Sequence, residues 1–306
     1  MGYGEWKSST FAEYTVETKA CSLDASGTYK ADHSQIFKAR KIAKDLRPYN
    51  VMRECVDSEE HPNTIPVILA LDVTGSMGSA AVDVAGKLNK IMTSLYNKVR
   101  DVEFMIMGIG DFYCDNYPLQ VSQFESDIRI AKQLDQLYFE FGGGSNPYES
   151  YSAAWYFANK HTKLDCWKRG KKGIIITMGD EEYNPYIPAK GYNTSIKEVL
   201  GDNIQGEEVD SDEIYKEVSK KYDIYHIDVL HNTYSKSSNS AVKNSWLDIL
   251  DPQHFFSCTI EEISDTIVDI ITTAAENNTT ISFVNTDIVE DEETVAVGAG
   301  MQEISW

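Results

Sequence analysis

Short apolar runs that alternate with amphipathic patterns constrain the fold of this chain more than any other feature. IPVILALDV (65–73) is an apolar, β-branched run of the kind that forms a strand buried on both faces. KKGIIITMGD (171–180) repeats the pattern, and both runs finish in small residues and an acid. Between them, apolar residues recur every three or four positions from Ala81 to Leu95, which predicts an amphipathic helix.

The remaining pattern continues this alternation. We predict further strands at 102–110, 118–124, 223–230 and 254–259, the second of them at a sheet edge. Further helices are predicted at 34–46, 128–137, 149–161, 211–222, 241–250 and 260–275. Strands that alternate with helices indicate an α/β fold, doubly wound, with a mostly parallel central sheet and helices on both faces. We divide the chain into an N-terminal extension packed on the main domain (1–61), the domain itself (62–275) and an acidic C-terminal tail (276–306).

Composition and charge narrow the class of protein. A chain of 306 residues with 42% hydrophobic and 25% charged residues is typical of a globular protein, and no apolar run is long enough to span a membrane. The net charge of −20 argues against nucleic acid as a partner. Five isolated cysteines and the lack of a secretion signal predict a cytoplasmic location. No Lys or Arg follows Lys243, and the acids beyond it form either a solvated tail or a docking segment for a basic partner.

Polar side chains follow the apolar runs at the point where each strand is predicted to end. Ligands of such sheets bind at the carboxyl ends of the strands, so these residues are expected at one edge. They are Asp72, Thr74, Ser76, Asp111, Asp180, Glu181 and the glycine-rich loop at 142–146. Hydroxyls and carboxylates without His or Cys are the ligands of a hard divalent cation. Asp, Thr and Ser before a helix could equally be ordinary helix caps.

Asp72-Val-Thr-Gly-Ser76 resembles the DxTxS signature of the von Willebrand factor A (vWA) domain, whose metal-ion-dependent adhesion site (MIDAS) uses three loops. Gly142-Gly143-Gly144-Ser145 resembles the second loop, and Asp180 resembles the third-loop aspartate, although MGD stands here where many members have TDG. The resemblance covers residues 62–275. It implies that Thr74, Ser76 and Ser145 bind the metal directly, with Asn146 as the alternative in the second loop. Asp72 and Asp180 would bind directly or through water.

The resemblance also implies an ion and a function. The ion would be Mg²⁺, with Ca²⁺ or Mn²⁺ as alternatives. Asp111 is not a standard ligand of the family, but it ends the strand expected beside the first one, and from that position we expect it to support the ligands. The chain would be a non-enzymatic adaptor of the intracellular, bacterial type, whose metal binds an Asp or Glu of a protein partner. Bacterial members often act beside MoxR-type AAA+ ATPases. The tyrosine-rich loop at 181–192 would form the rim of the binding surface.

Two other functions stay open from the sequence. A magnesium-dependent phosphohydrolase of the haloacid dehalogenase type also has an Asp after its first strand, but its general acid would fall at Thr74. A structural component of a larger assembly would use the metal only to stiffen the loops.

Overall fold

The structure, a computed structural model, describes residues 4–140, 147–191, 194–230 and 236–292. At 236–239 and 278–292 it describes the backbone alone. The strands in chain order are β1 (Arg53–Cys55), β2 (Ile65–Asp72), β3 (Val102–Ile109), β4 (Leu119–Val121), β5 (Tyr148–Glu149), β6 (Thr162–Leu164), β7 (Gly173–Gly179), β8 (Glu182–Tyr183), β9 (Tyr186–Pro188), β10 (Glu208–Asp210), β11 (Tyr222–Val229) and β12 (Phe255–Cys258).

The α-helices, named in the same way, surround these strands. They are α1 (Ser8–Lys19), α2 (His33–Ile36), α3 (Gly78–Tyr96), α4 (Arg129–Leu134), α5 (Ser152–Lys160), α6 (Ile196–Leu200), α7 (Ser211–Val218), α8 (Lys236–Leu247) and α9 (Ile263–Glu292). In the described part of the chain, no helix is both long and apolar enough to cross a membrane.

The central sheet has six strands in the order β12-β11-β7-β2-β3-β4. All neighbours are parallel except β4, which runs antiparallel to β3 at one edge. The predicted doubly wound α/β fold and its edge strand are therefore confirmed. The chain runs outward from β2 to β3 on one side and returns to β7 on the other, so the switch in strand order lies at β2.

Two apolar cores cover the faces of the sheet. Alternate residues of β2 point to opposite faces, so Leu69 and Leu71 join the core that includes α3 and α9, while Ile68 and Ala70 join the core that includes α5 and α8. All of β3 is buried as well. A sheet covered on both faces leaves its strand ends as the natural place for polar groups.

The N-terminal region differs from its prediction. The expected helix at 34–46 is wrong, because this stretch forms only the short α2 and a 3₁₀ turn at Lys44–Leu46. Its apolar residues are still buried, among them Phe37, which packs on Phe139 with ring centres 4.5 Å apart. Tertiary contacts satisfy the apolar side chains here, so no continuous helix is needed to bury them.

A helix that the sequence did not predict, α1, packs on the same core through Phe11. Trp6, just before it, donates a 2.9 Å hydrogen bond to Asn89 of α3. At the other end of the chain, α9 continues past residue 275 to Glu292. The division into extension, domain and tail stays a prediction.

Candidate metal site

The loop after β2 folds around the carboxylate of Asp72. Asp72 is fully buried, and its Oδ1 accepts hydrogen bonds from the backbone N–H and the Oγ1 hydroxyl of Thr74, at 2.8 and 2.7 Å. The Oγ atoms of Thr74 and Ser76 lie 3.3 Å apart. Helix α3 begins after Met77 and has no side-chain cap, so these residues are not helix caps.

The third predicted loop reaches the same place. Asp180 follows β7, which lies beside β2 in the sheet, and its Oδ1 accepts a 3.1 Å hydrogen bond from the hydroxyl of Ser76. Asp72, Thr74, Ser76 and Asp180 thus form one continuous cluster, as the sequence predicted. The second-loop residues, Gly142 to Ser145, lie outside the described residues, and so does the alternative Asn146.

The electrostatics of the cluster favour a cation. Burial, reinforced by the charge of Asp180, raises the pKa of Asp72 to about 7, while the hydrogen bonds from Thr74 and Tyr151 work in the opposite direction. Glu181, next along the chain, has its pKa raised to about 7 by burial and by Asp180. A bound cation would relieve this repulsion between neighbouring carboxylates.

The donor set fits a hard divalent cation. Every polar side chain of the cluster offers oxygen, from two hydroxyls and two carboxylates. Within the described ranges, no three Asp, Glu, His or Cys side chains are placed to hold one ion together. A cation here would therefore depend on the hydroxyls of Thr74 and Ser76 as well as on the acids.

Two residues near Asp72 were not predicted from the sequence to belong to the site. Tyr151 is fully buried and donates a 3.1 Å hydrogen bond from its phenol to Oδ2 of Asp72. Burial and neighbouring acids raise the pKa of this phenol well above its ordinary value, so it remains a donor. Glu149 is 8% exposed, and burial, followed by the charges of Asp72 and Asp115, raises its pKa to about 11.

Glu149 and Tyr151 both fall within the helix predicted at 149–161, and for this reason neither was predicted as a site residue. In the structure α5 begins only at Ser152, and Glu149 lies in β5, which pairs with β8 directly after Asp180 and Glu181. The aromatic residues Trp155 and Phe157, predicted to be core, are fully buried. The signal that could have revealed the site residues is the acid and tyrosine that closely follow the glycine-rich loop.

Asp111 lies at the same edge, after β3. Its Oδ1 accepts hydrogen bonds from the backbone N–H of Tyr113 at 3.1 Å, from the Ser150 hydroxyl at 3.2 Å and from the Asn184 amide at 3.5 Å. These contacts join the loops after β3, β5 and β8. Asp111 thus connects three loops at this edge of the sheet.

Comparisons with known proteins found similarity in structure and none in sequence. No protein-family model matches the chain, and no curated protein matches it in sequence. The pilus adhesin SpaC from Lactobacillus rhamnosus GG, in its open conformation, aligns with a TM-score of 0.47 and 11% identity over 73% of this chain and 31% of the adhesin. This chain therefore spans about a third of that adhesin.

Two shorter structures align over most of their own length. They are the vWF domain of the type V pili tip protein Mfa5 from Porphyromonas gingivalis (TM-score 0.44, 12% identity, 71% of this chain and 96% of that one) and the SpRpn10 VWA domain (TM-score 0.39, 11% identity, 66% and 95%). The likeness of these structures to this chain is one of fold.

Proposed function

We propose that this chain is a metal-dependent protein-binding module of the vWA type. A divalent cation, Mg²⁺ before Mn²⁺ or Ca²⁺, would be held by Asp72, Thr74, Ser76 and Asp180, with Ser145 as a further ligand from the second loop. The cation would bind an Asp or Glu side chain of a partner protein. The chain itself would act as an adaptor and would catalyse no reaction.

One observation carries this proposal, the hydrogen bond between Ser76 and Asp180. It joins two loops that are more than a hundred residues apart in the chain. In the sequence, only the resemblance to the vWA motif relates these loops to each other. The same loops contain a hydroxyl-rich, all-oxygen donor set, which suits a hard cation.

The exposure of the cluster supports a role in binding a partner. Asp72 is fully buried, whereas Ser76 is half-buried and the neighbouring Gly75 is exposed. An ion at Ser76 could therefore be reached from outside. Thr74 and Ser76 add oxygen ligands without adding negative charge, so an ion with an open coordination position could still bind a carboxylate from another protein.

A catalytic role in phosphoryl transfer is not favoured. A nucleophilic aspartate needs a carboxylate oxygen that can approach a phosphorus atom. Both oxygens of Asp72 instead accept hydrogen bonds from within the protein, from Thr74 and Tyr151, and the residue has no exposed surface.

The partner is proposed by its chemistry, as a protein that presents an acidic side chain. The vWA resemblance adds MoxR-type AAA+ ATPases as the partner class to try first. The segment after Asp180 would form the rim, because Tyr186 in β9 has 45% of its surface exposed. Exposed aromatic side chains are common anchors in protein interfaces.

Titration calorimetry tests the metal site. Wild type, Ser76→Ala and Asp180→Asn are titrated with Mg²⁺, Mn²⁺ and Ca²⁺, and Ser79→Ala, an exposed serine at the start of α3, is the matched control. We expect wild type and Ser79→Ala to bind one or more of these ions and the site variants to bind them at least about tenfold more weakly. Equal binding by all the variants would refute the proposed site.

A pull-down tests the function. Tagged wild-type protein is incubated with a lysate in the presence of Mg²⁺ or of a chelator, and the captured proteins are identified. We expect a partner that is lost on chelation and also lost with Asp180→Asn. A partner that is retained in both cases would favour a structural role for the chain.

A further inference from the structure

Arg53 in β1 is buried and has no carboxylate partner in the described part of the chain. It is 7% exposed, and its Nη2 group donates hydrogen bonds to the backbone carbonyls of Asp45 and Val121, at 2.8 and 3.1 Å. Its Nε atom is buried and has no hydrogen-bond partner among the described residues. The arginines that form ion pairs within those ranges are Arg129 and Arg169. Because a guanidinium stays charged at physiological pH, Arg53 places an uncompensated positive charge inside the protein.

This charge lies in the wall of a cavity at the β4 edge of the sheet. The cavity has a volume of about 350 Å³, and the segments around it are β1, the turn at Lys44–Leu46, the residues after β4, and α4. Besides Arg53, its lining contains two cations, one acid and three amides, namely Arg129, Lys132, Asp45, Gln123, Gln133 and Gln136. A cavity of this size can hold a small molecule.

The lining is positively charged, although the whole chain has a net charge of −20. Three cations stand against one acid, which is exposed. Arg129 is already paired with Glu125 and Asp127, whereas Lys132 is exposed and forms no ion pair with the described residues. The unbalanced charge therefore comes from Arg53 and Lys132. A cavity with this balance of charges attracts an anion.

A second buried atom of the lining, Oε1 of Gln133, also has no hydrogen-bond partner in the described ranges. Unpartnered buried polar atoms are rare in folded proteins because each carries a desolvation penalty. A ligand that satisfied both side chains would offer acceptor oxygens to Arg53 and a hydroxyl to Gln133. A phosphate group that retains a proton has both kinds of group, whereas sulfate has acceptors alone.

We propose that this cavity binds a phosphate group, either as inorganic phosphate or as a small phosphate monoester. Arg53 would donate to the phosphate oxygens from Nε and Nη1, because the planar guanidinium matches the geometry of phosphate. Lys132 would add a second positive charge from the exposed side. The inference does not rest on the proposed metal site, because β4 lies two strands away from β2, the strand that ends in Asp72.

Titration calorimetry of the full chain tests this site. The protein is freed of metal with a chelator and dialysed, so that phosphate cannot bind through a cation near Asp72. Wild type, Arg53→Gln and Lys132→Glu are titrated with phosphate, glycerol 3-phosphate and sulfate at about pH 6, where about half of a phosphate ester keeps a proton. We expect wild type to bind both phosphates more tightly than sulfate. Each variant should bind them at least about tenfold more weakly.

Arg169→Gln and Lys168→Glu are the matched controls. Both residues lie outside the lining of the cavity, and each is paired with an acid, Arg169 with Asp57 and Lys168 with Asp165. They should leave phosphate affinity unchanged within about twofold, although they make the same changes of charge. In NMR spectra of wild type, the guanidinium N–H signal that is missing in Arg53→Gln should shift when phosphate is added.

The outcomes decide both the site and its ligand. Absence of phosphate binding in wild type, or equal binding by wild type and both site variants, would overturn the inference. Sulfate binding as tight as that of phosphate would overturn the assignment to phosphate. Tighter binding of glycerol 3-phosphate than of phosphate would support an organic phosphate, and the reverse order would support free phosphate. Should Arg53→Gln not fold, Lys132→Glu decides, because Lys132 is exposed.

Discussion

Ser76 and Asp180 lie on different loops, and a 3.1 Å hydrogen bond from the serine hydroxyl to Oδ1 of the aspartate joins them. The bond exists because β2 and β7 are neighbours in the sheet, so that the loops after them meet. The proposed cation would bind between these loops and stabilise the folded state by mass action. This has a direct consequence for thermal stability.

Mg²⁺ should raise the melting temperature of wild type, and a chelator should lower it. At an ion concentration about 100 times the Kd, the stabilisation is about 2.7 kcal/mol. Differential scanning calorimetry of wild type, Asp180→Asn and Ser79→Ala checks this, and only the Asp180 variant should lose the response. An identical response in all the proteins would mean that the ion binds elsewhere.

Replacement of Gly179 by Ala should destabilise the fold, because the new Cβ would overlap the Tyr151 hydroxyl. Overpacking of this kind costs about 1 to 3 kcal/mol in the free energy of unfolding. Gly170→Ala is a useful comparison, because its Cβ would meet no atom within 4 Å and the change should cost only the backbone strain of φ 67°, about 1 kcal/mol. Urea unfolding measures both, and equal costs would contradict the crowding at Tyr151.

The attachment of α1 should depend on a buried ion pair. Lys19 at its end forms a salt bridge with Asp135, and their side chains are only 2% and 15% exposed. The phenol of Tyr14 donates a further hydrogen bond to Asp135. Lys19→Ala would leave that carboxylate buried without its cation, at a cost of about 3 kcal/mol.

Urea unfolding and limited proteolysis check this prediction. We expect a lower free energy of unfolding and faster cleavage near α1. Lys168→Ala is the control, because Lys168 pairs with Asp165 but is 77% exposed. Unchanged cleavage in Lys19→Ala would show that the helix is held by its apolar contacts alone.

Glu125 should make stability depend on pH. Burial raises its pKa from 4.5 to about 7, although the charge of Arg129 partly offsets this effect. The folded state therefore holds a proton that the unfolded state releases above about pH 4.5. The stabilisation from Glu125 is complete below that pH and is lost as the pH rises through about 7.

Urea unfolding at several pH values between 4 and 8, in wild type and Glu125→Gln, isolates this contribution. Glutamine cannot ionise, so the difference in unfolding free energy between the two proteins should grow in favour of the variant as the pH rises. A constant difference across the range would show that Glu125 has an ordinary pKa.

Tyr186 should matter for the partner and not for the metal. It is 45% exposed in β9, in the segment that follows Asp180. In Tyr186→Ala we expect chelator-sensitive capture of the partner to fall by about tenfold, as for an aromatic interface anchor, with Mg²⁺ affinity unchanged. Tyr49→Ala, 55% exposed in the N-terminal region, is the control. Equal capture by both variants would remove this segment from the proposed surface.

The sequence alone determined the central sheet and the oxygen-bearing side chains at the ends of its strands. Runs such as 65–73 and 173–179 are continuously apolar because their strands are buried on both faces, and this pattern is local enough to be recognised directly. The Asp72 to Ser76 motif and Asp180 could also be recognised, since strand ends share one edge in a parallel sheet. Helix α3 followed from its apolar stripe.

Only the tertiary structure decided which distant segments contact one another. Helix α1 could not be predicted, because two of the three residues in its buried stripe of Phe11, Thr15 and Lys19 are polar, and Lys19 finds its partner, Asp135, far along the chain. The roles of Tyr151 and Gly179 depend on a contact between segments that approach each other only when β7 lies beside β2. Periodicity reports which face of an element is apolar, but the partner of a buried polar group is determined by the packing of distant segments.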